Sequence, residues 1–200
     1  GDVYKRQLAN GALSGDGTEL AIRQKLIEND LVEAIIILPR NLFYTTDISV
    51  TLWIINKNKK ARVVMQNNKP KAYRDRTDEI LFMDLRQMGS PYEKKYIELT
   101  EEDRTKVAAT YHAWQSQNAT EEYKDIDEYC YSAKKEEVAA KGYSLVPSKY
   151  IKFVNRDENI DYDTKMKQLQ SELTDLLKEE EKSKEDLLAV FKELGYEIKL

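Results

Sequence analysis

Two apolar runs separated by a short polar loop constrain this chain more than any other feature. The runs cover residues 31–38 and 50–56 and are rich in β-branched side chains. Because their apolar residues are continuous rather than alternating, they are typical of strands buried on both faces of an α/β sheet. The loop between them, residues 39–49, carries two adjacent aromatic residues, Phe43 and Tyr44. The sequence therefore predicts two buried strands joined by an aromatic loop, and this loop is the candidate place for a flat ligand.

The residues before this unit predict a strand end, a turn and a helix. Asn10–Gly11 is a turn signal. Asp16, followed three residues later by Glu19, resembles a capping box. The apolar spacing predicts a helix over residues 18–28. With the strand at 31–38, this is half of a βαβ arrangement, which favours an α/β fold.

The residues after the unit predict further elements of both kinds. Strands are predicted at residues 61–65 and 78–85, and Thr100 is predicted to cap a helix. Residues 118–131 are polar and predict an irregular segment. A short helix is predicted over residues 133–141, ahead of a glycine.

A long helix is predicted over residues 164–197. Its apolar residues keep one heptad register, but Glu180 and Ser183 interrupt it. The pattern predicts two apolar patches divided by a polar turn. Packing on the chain's own domain and a coiled-coil contact with another chain both remain open.

The net charge of −4 conceals an uneven distribution. Residues 157–200 carry 13 acidic and 7 basic side chains, whereas residues 57–76 carry eight Lys or Arg and one acidic residue. A local basic cluster can contact phosphates, although a solvated turn is an equally good interpretation. The cluster's phosphate-binding candidates are Lys57, Lys59, Lys60 and Arg62.

Several classes of chemistry find no support in the sequence. A single cysteine, Cys130, excludes an internal disulfide and fits a reducing cytoplasm. With one cysteine and one histidine, the pattern gives no metal site. The chain shows neither a phosphate-binding loop nor a catalytic triad. Its apolar runs are too short for a membrane span, and we expect no membrane association.

Several ordered blocks of the sequence resemble the modification subunit of Type I restriction-modification systems, an adenine-specific DNA methyltransferase. The resemblance runs from about Leu8 into the C-terminal helix. The blocks are Asn10–Gly15, Ile22–Ile36, Leu38–Ile48, Trp53–Lys57, Glu79–Arg86, Tyr111–Trp114 and Gly142–Tyr150.

The resemblance implies a fold, a cofactor and partners. The expected fold is α/β: the C-terminal part of a Rossmann-like S-adenosylmethionine-dependent methyltransferase sheet, followed by a mainly helical extension with a long C-terminal helix. The family's Gly-rich cofactor turn and its catalytic Asn-Pro-Pro-Phe/Tyr motif are absent from the 200 residues. We therefore expect a C-terminal fragment that lacks catalytic residues and does not methylate DNA alone. The implied partners are DNA and the specificity and restriction subunits, in the cytoplasm of a bacterium or archaeon.

The chain divides into four segments, of which the last three follow from the resemblance. Residues 1–7 resemble the translation of a sequencing adapter and are interpreted as a non-native leader. Residues 8–86 are expected to belong to the methyltransferase domain and residues 87–155 to a helical or irregular extension. Residues 156–200 are expected to form an amphipathic tail that docks on the specificity subunit.

The aromatic loop gains a role from the resemblance. An enzyme that modifies a base must extrude it from the duplex and hold it by stacking. Phe43 best matches the family's stacking aromatic, and Tyr44 is the second candidate. Asn10 and Asn41 are further substrate-binding candidates. The alternative function is a non-catalytic adaptor that binds a partner through its C-terminal helix.

Overall fold

The computed structural model describes residues 3–66, 68–93, 95–119, 122–154 and 161–196. The chain divides into two compact units, residues 1–154 and residues 155–200. The first unit contains the sheets and three of the α-helices, and the second contains one long helix.

Within the described residues, the strands in chain order are β1 (Val3–Ala9), β2 (Val32–Ile37), β3 (Val50–Asn56), β4 (Arg62–Gln66), β5 (Lys69–Tyr73), β6 (Glu79–Asp84), β7 (Ser90–Tyr92), β8 (Tyr96–Glu98) and β9 (Cys130–Lys134). The α-helices are α1 (Thr18–Glu28), α2 (Glu101–Gln115), α3 (Lys135–Ala140) and α4 (Tyr162–Glu193). None of the helices in this part of the chain meets the length and hydropathy that a membrane span requires.

Five strands form one mixed sheet in the order β1-β3-β2-β6-β9. β2 and β6 are parallel, whereas β3 is antiparallel to both β1 and β2. The register places Ala9 opposite Val50, and Ile37 opposite both Thr51 and Asp84. The carboxyl ends of β1, β2 and β6 therefore lie together, at what we call the carboxyl end of the sheet. The opposite end is the amino end.

Helices and loops cover both faces of this sheet, because successive side chains of β2 point to opposite sides. Ile35 belongs to the apolar cluster that includes Ile27 of α1 and Val138 of α3. Ile36 belongs to the cluster on the other face, which includes Trp114 of α2. Every residue of β2 is buried. This arrangement agrees with the predicted α/β class and with the prediction that the apolar runs are internal strands.

Most local predictions around the central unit are confirmed. β2 and β3 pair directly, with Ile36 opposite Leu52. α1 has the predicted bounds, and Thr100 caps α2 in a capping box with Asp103. The predicted cap of α1 is wrong: its N-cap is Gly17, and no side chain caps it. Gly17 has a φ of 63°, a conformation that favours glycine.

Two features of the extension were not predicted. β9 begins inside the segment that the sequence predicted to be irregular, and it pairs antiparallel with β6. The helix predicted over residues 133–141 accordingly begins only at Lys135. β7 and β8 form a short hairpin between the predicted strand at residues 78–85 and the helix capped by Thr100. β7, β8 and β9 are short and partly polar. Their strand conformation therefore depends on pairing with a neighbouring strand rather than on local sequence preference.

The second unit is a single helix with an exposed apolar stripe. α4 spans Tyr162–Glu193 and buries none of its residues. Asp161 caps it by accepting a hydrogen bond from the backbone of Asp163. The helical prediction for the tail is confirmed. Acidic residues in the segment 155–163 predict a linker ahead of this helix. Residues 155–160 of that segment lie outside the described residues.

The assignment of residues 1–7 to a foreign leader stays a prediction. Residues 3–7 form the larger part of β1, whose residues are all exposed. The functional division at residues 86 and 155 also stays a prediction.

Candidate nucleic-acid interface

The carboxyl end of the sheet brings three separate segments together. β1 leads directly to Asn10, β2 leads to the aromatic loop (residues 39–49), and β6 leads toward the β7–β8 hairpin (residues 90–98). Ligands of open α/β sheets bind outside the carboxyl ends of the parallel strands, where the connecting loops diverge. This end is therefore the expected location of a site.

The two aromatic residues of the loop have different surroundings. Phe43 is half-buried and packs against the apolar cluster on the α2 face of the sheet. Tyr44 is 68% exposed. The loop is closed by a hydrogen bond from Thr46 N–H to Phe43 O at 3.3 Å, and by one from Arg40 Nε to Asp47 O at 3.4 Å. Phe43 is thus anchored, and Tyr44 presents most of its surface to solvent.

The β7–β8 hairpin contacts the outer side of the aromatic loop. Lys95 Nζ lies 3.2 Å from Asp47 Oδ1. The rings of Tyr44 and Tyr96 meet edge to face, with centroids 4.7 Å apart. Together with Tyr92, these rings line an open cleft of about 370 Å³. We call this feature the tyrosine cleft.

The contacts of Tyr44 and Lys95 shift the pKa values of both side chains. The pKa of Tyr44 is raised, first by loss of water around the phenol and then by a hydrogen bond with Tyr92. The pKa of Lys95 is also raised, first by its hydrogen bond to Asp47 and then by the charge of that carboxylate. Near neutral pH the phenol is therefore neutral and the ammonium is charged.

Both candidate asparagines take part in hydrogen bonds that connect segments at the carboxyl end. Asn10 Oδ1 accepts a hydrogen bond from Thr51 Oγ1 at 2.6 Å, which ties the end of β1 to the start of β3. Asn41 has a φ of 58°, and its carbonyl accepts from Ile97 N–H at 3.1 Å. Asn41 therefore joins the aromatic loop to β8 through its backbone. The substrate-binding roles of both residues stay predictions.

The basic cluster lies at the other end of the sheet. β3 runs from the carboxyl end to the amino end, and residues 57–76 begin directly after it. Lys57 and Lys60 are exposed, and Arg62 is half-buried. A six-residue strand such as β2 is about 20 Å long. The structure therefore does not bring the basic cluster next to the aromatic loop.

Lys59 differs from its neighbours because it is buried. Its side chain is 1% exposed and forms an ion pair with Asp30. Its ammonium also donates to Val32 O at 3.1 Å and to Glu79 O at 2.7 Å. Burial lowers the pKa of Lys59, and the hydrogen bond to Asp30 opposes this effect. All three protons have acceptors within the chain, which removes Lys59 from the phosphate-binding candidates.

Sequence reasoning missed a buried ionic network at the amino end. The side chains of Arg76 and Glu33 are both 0% exposed, and Arg76 Nε lies 3.0 Å from Glu33 Oε1. Glu33 also accepts from Gln115 Nε2 at 3.0 Å and from Asn56 Nδ2 at 2.7 Å. Glu33 stands within an otherwise apolar run, and this was the available sequence signal of the network. No sequence pattern near Arg76, 43 positions further along the chain, marked it as the partner.

S-adenosylmethionine, the methyl donor that the resemblance implies, is bound through hydrogen-bonding side chains. Among the described residues at the carboxyl end, two polar side chains are already engaged within the chain. Asn10 binds Thr51, and both carboxylate oxygens of Asp84 bind Arg86, at 2.6 to 3.1 Å. The same part of the chain also contains no group of three or more His, Cys, Asp or Glu side chains arranged to hold a metal ion.

The fold and the site together define an α/β protein with an aromatic-lined cleft at the carboxyl end of its sheet. The profile of one family, described as N-6 DNA Methylase, matches residues 7–159. The chain belongs to this family.

Similar proteins support the same assignment. The chain is 34% identical over 196 residues to the Type I restriction enzyme HindI methylase subunit of Haemophilus influenzae, covering 95% of this chain and 39% of that protein. It is 31% identical over 189 residues to the MjaIX methylase subunit of Methanocaldococcus jannaschii, covering 94% of this chain and 31% of that protein. The chain thus spans roughly a third of the length of these two relatives.

A solved structure shares the fold. The Type I restriction-modification methyltransferase subunit of Streptococcus thermophilus matches with a TM-score of 0.60 and 24% identity, over 76% of this chain and 27% of that one. The EcoKI M protein matches with a TM-score of 0.52 and 13% identity, over 87% of this chain and 39% of that one.

Proposed function

We propose that this chain works as part of an adenine-specific DNA methyltransferase subunit of a Type I restriction-modification system. The complete subunit would transfer a methyl group from S-adenosylmethionine to the exocyclic amine of adenine in DNA. Membership of the N-6 DNA methylase family and the names of the relatives support this proposal. The β1, β2 and β3 strands would then be the last three strands of a Rossmann-like methyltransferase sheet.

The observation that carries the proposal is the position of Phe43 at the carboxyl end of the sheet. A ring anchored by the apolar cluster beneath it is held in one place, and such rigidity suits a stacking surface. A base that has left the duplex needs such a surface in place of its lost stacking neighbours. S-adenosylmethionine, when bound, supplies the methyl group, and the residues described here would hold and orient the base.

The test uses the complete subunit and DNA that carries 2-aminopurine in place of the target adenine. Stacking is worth about 1–3 kcal/mol per base. We therefore expect Phe43→Ala to weaken binding of this DNA by about tenfold, as measured by fluorescence titration. Phe43→Trp keeps a flat ring and should bind nearly as well as the parent. Equal binding by the parent and Phe43→Ala would remove the stacking role.

A second expectation concerns the 200-residue chain alone. It should not transfer a methyl group to DNA, because its sequence lacks both the family's Gly-rich cofactor turn and its Asn-Pro-Pro-Phe/Tyr motif. Incubation of the purified chain with radiolabelled S-adenosylmethionine and DNA measures this directly. Incorporation of label above background would contradict the expectation.

The partners proposed for the complete protein are DNA and the specificity and restriction subunits, in the cytoplasm. The exposed cations Lys57 and Lys60, with Arg62, are the proposed phosphate contacts. α4 is the proposed contact with the specificity subunit, since its apolar stripe is exposed on both sides of the polar turn at Glu180 and Ser183. The stripe comprises Met166, Leu169, Leu173, Leu176, Leu187 and Val190, each about half exposed or more. A truncation after residue 154 should abolish co-purification with the specificity subunit.

A further inference from the structure

Phe43 and Tyr44 are adjacent in sequence but lie in different surroundings. Phe43 packs on the apolar cluster of the α2 face, whereas Tyr44 lines the tyrosine cleft with Tyr92 and Tyr96. The two adjacent rings thus meet different surroundings. If Phe43 holds the target adenine, the ring of Tyr44 is left for another ligand.

The tyrosine cleft has the composition of a stacking site. Tyr44 is 68% exposed and Tyr92 is 42% exposed, although both rings lie in a cluster of three tyrosines. Leu42 and Ile97 also line the cleft and extend its apolar surface. Its volume of about 370 Å³ is at the lower end of the range for small-molecule sites, about 300–1,000 Å³. A cleft of this size suits a single nucleotide unit.

Charged groups at the cleft match the polar parts of a nucleotide. Arg104 lines the cleft and stays 61% exposed, although it binds Glu101 at 2.6 Å and Leu99 O at 3.0 Å. Lys95, beside Tyr96, is 57% exposed. These cations can face a phosphodiester while the base lies on the rings. Glu98, which also lines the cleft, can accept a hydrogen bond from an exocyclic amine.

We propose that the tyrosine cleft binds a second unpaired base of DNA, next to the target adenine. This inference rests on the proposed function, because it takes the target to lie on Phe43. Stacking on tyrosine tolerates every base, so the second site requires an unstacked nucleotide rather than a particular sequence. The β7–β8 hairpin then serves as a clamp that supplies two of the three rings.

The test measures binding of a short fluorescein-labelled single-stranded oligodeoxynucleotide to the 200-residue chain by anisotropy. The double variant Tyr92→Ala/Tyr96→Ala should lose about tenfold or more in affinity. Tyr92→Phe/Tyr96→Phe keeps both rings and should bind within about twofold of the parent. The matched control is Tyr162→Ala, because Tyr162 is a 74%-exposed tyrosine at the start of α4. Circular dichroism melts verify that each variant is folded.

The outcomes separate this inference from the proposed function. Parent-like affinity of the double alanine variant, or no binding by the parent chain, would overturn the second site. Repeating the titrations with Phe43→Ala tests the target site independently. A loss with Phe43→Ala and none with the tyrosine variants would overturn the second site and leave the target site standing. A loss with the tyrosine variants and none with Phe43→Ala would support the cleft and count against Phe43 as the stacking residue.

Discussion

The two ends of the central sheet use similar side chains for different purposes. At the carboxyl end, Lys95 pairs with Asp47, and both side chains are more than half exposed. At the amino end, Lys59 pairs with Asp30, and the lysine side chain is 1% exposed. An exposed pair contributes little to stability, whereas breaking a buried pair is costly. The comparison indicates that the buried pair at the amino end stabilises the fold, whereas the pair at the carboxyl end stays accessible to solvent.

The largest effect is expected from breaking the buried network at the amino end. Glu33→Ala leaves the guanidinium of Arg76 buried without its carboxylate, which should cost about 3–5 kcal/mol of unfolding free energy. Urea denaturation measures the change. The double variant Glu33→Leu/Arg76→Met should regain much of the loss, because it removes both charges. A loss below about 1 kcal/mol for Glu33→Ala would contradict the assigned role of the network.

A smaller loss of stability is expected when Lys59 is substituted. Comparison with its neighbour Lys60 separates the effect on stability from the effect on DNA binding. Lys59→Met removes the hydrogen bonds to Asp30, Val32 and Glu79, at a cost of about 1.5–3 kcal/mol. It should leave DNA affinity unchanged in salt titrations. The exposed neighbour Lys60 should behave oppositely: Lys60→Ala should leave stability unchanged and weaken DNA binding. The reverse pattern would show that the two lysines have been assigned to the wrong roles.

The capping box of α2 lies next to the tyrosine cleft and should have a moderate effect. Thr100 Oγ1 accepts from Asp103 N–H at 3.1 Å, and the Asp103 carboxylate accepts from Thr100 N–H at 2.9 Å. Thr100→Ala should cost about 1 kcal/mol in thermal or urea unfolding. Thr100→Ser keeps the hydroxyl and serves as the control. Equal stabilities of the parent and Thr100→Ala would exclude a stabilising cap.

The smallest effect is the pH dependence of fold stability that Glu79 contributes at the amino end. Burial acts to raise the pKa of Glu79, but hydrogen bonds from Arg74 and Lys134 outweigh it and bring the pKa below the ordinary value of 4.5. Glu79 therefore stabilises the fold above pH 4.5, and this contribution is lost as the pH falls through the lowered pKa. Glu79→Gln should be less stable than the parent at pH 7 and match it in acid. A difference that persists unchanged in acid would contradict this linkage.

The carboxyl end was largely predictable from sequence because its elements are local. Continuous apolar runs identified β2 and β3, and the polar stretch between them identified the loop that carries Phe43 and Tyr44. The tyrosine cleft was not predictable, because Tyr92 and Tyr96 belong to two strands of only three residues each, and Tyr96 meets Tyr44 from a distant part of the sequence.

The amino end was predicted less well because its pattern depends on distant partners. A run of basic residues gave no indication that Lys59 is buried while Lys57 and Lys60 are exposed. The ionic partner of Glu33, which is Arg76, lies 43 positions along the chain. Charge patterns along a sequence report composition, whereas burial depends on which strands become neighbours.

Photo-crosslinking of the complete subunit tests most directly the claim that the carboxyl end holds the extruded base. DNA with a photoreactive adenine analogue at the target position is irradiated in complex with the protein, and the modified peptide is identified by mass spectrometry. We predict crosslinks within residues 39–49, with Phe43 as the principal site. Crosslinks confined to residues 57–76 at the amino end would contradict the account.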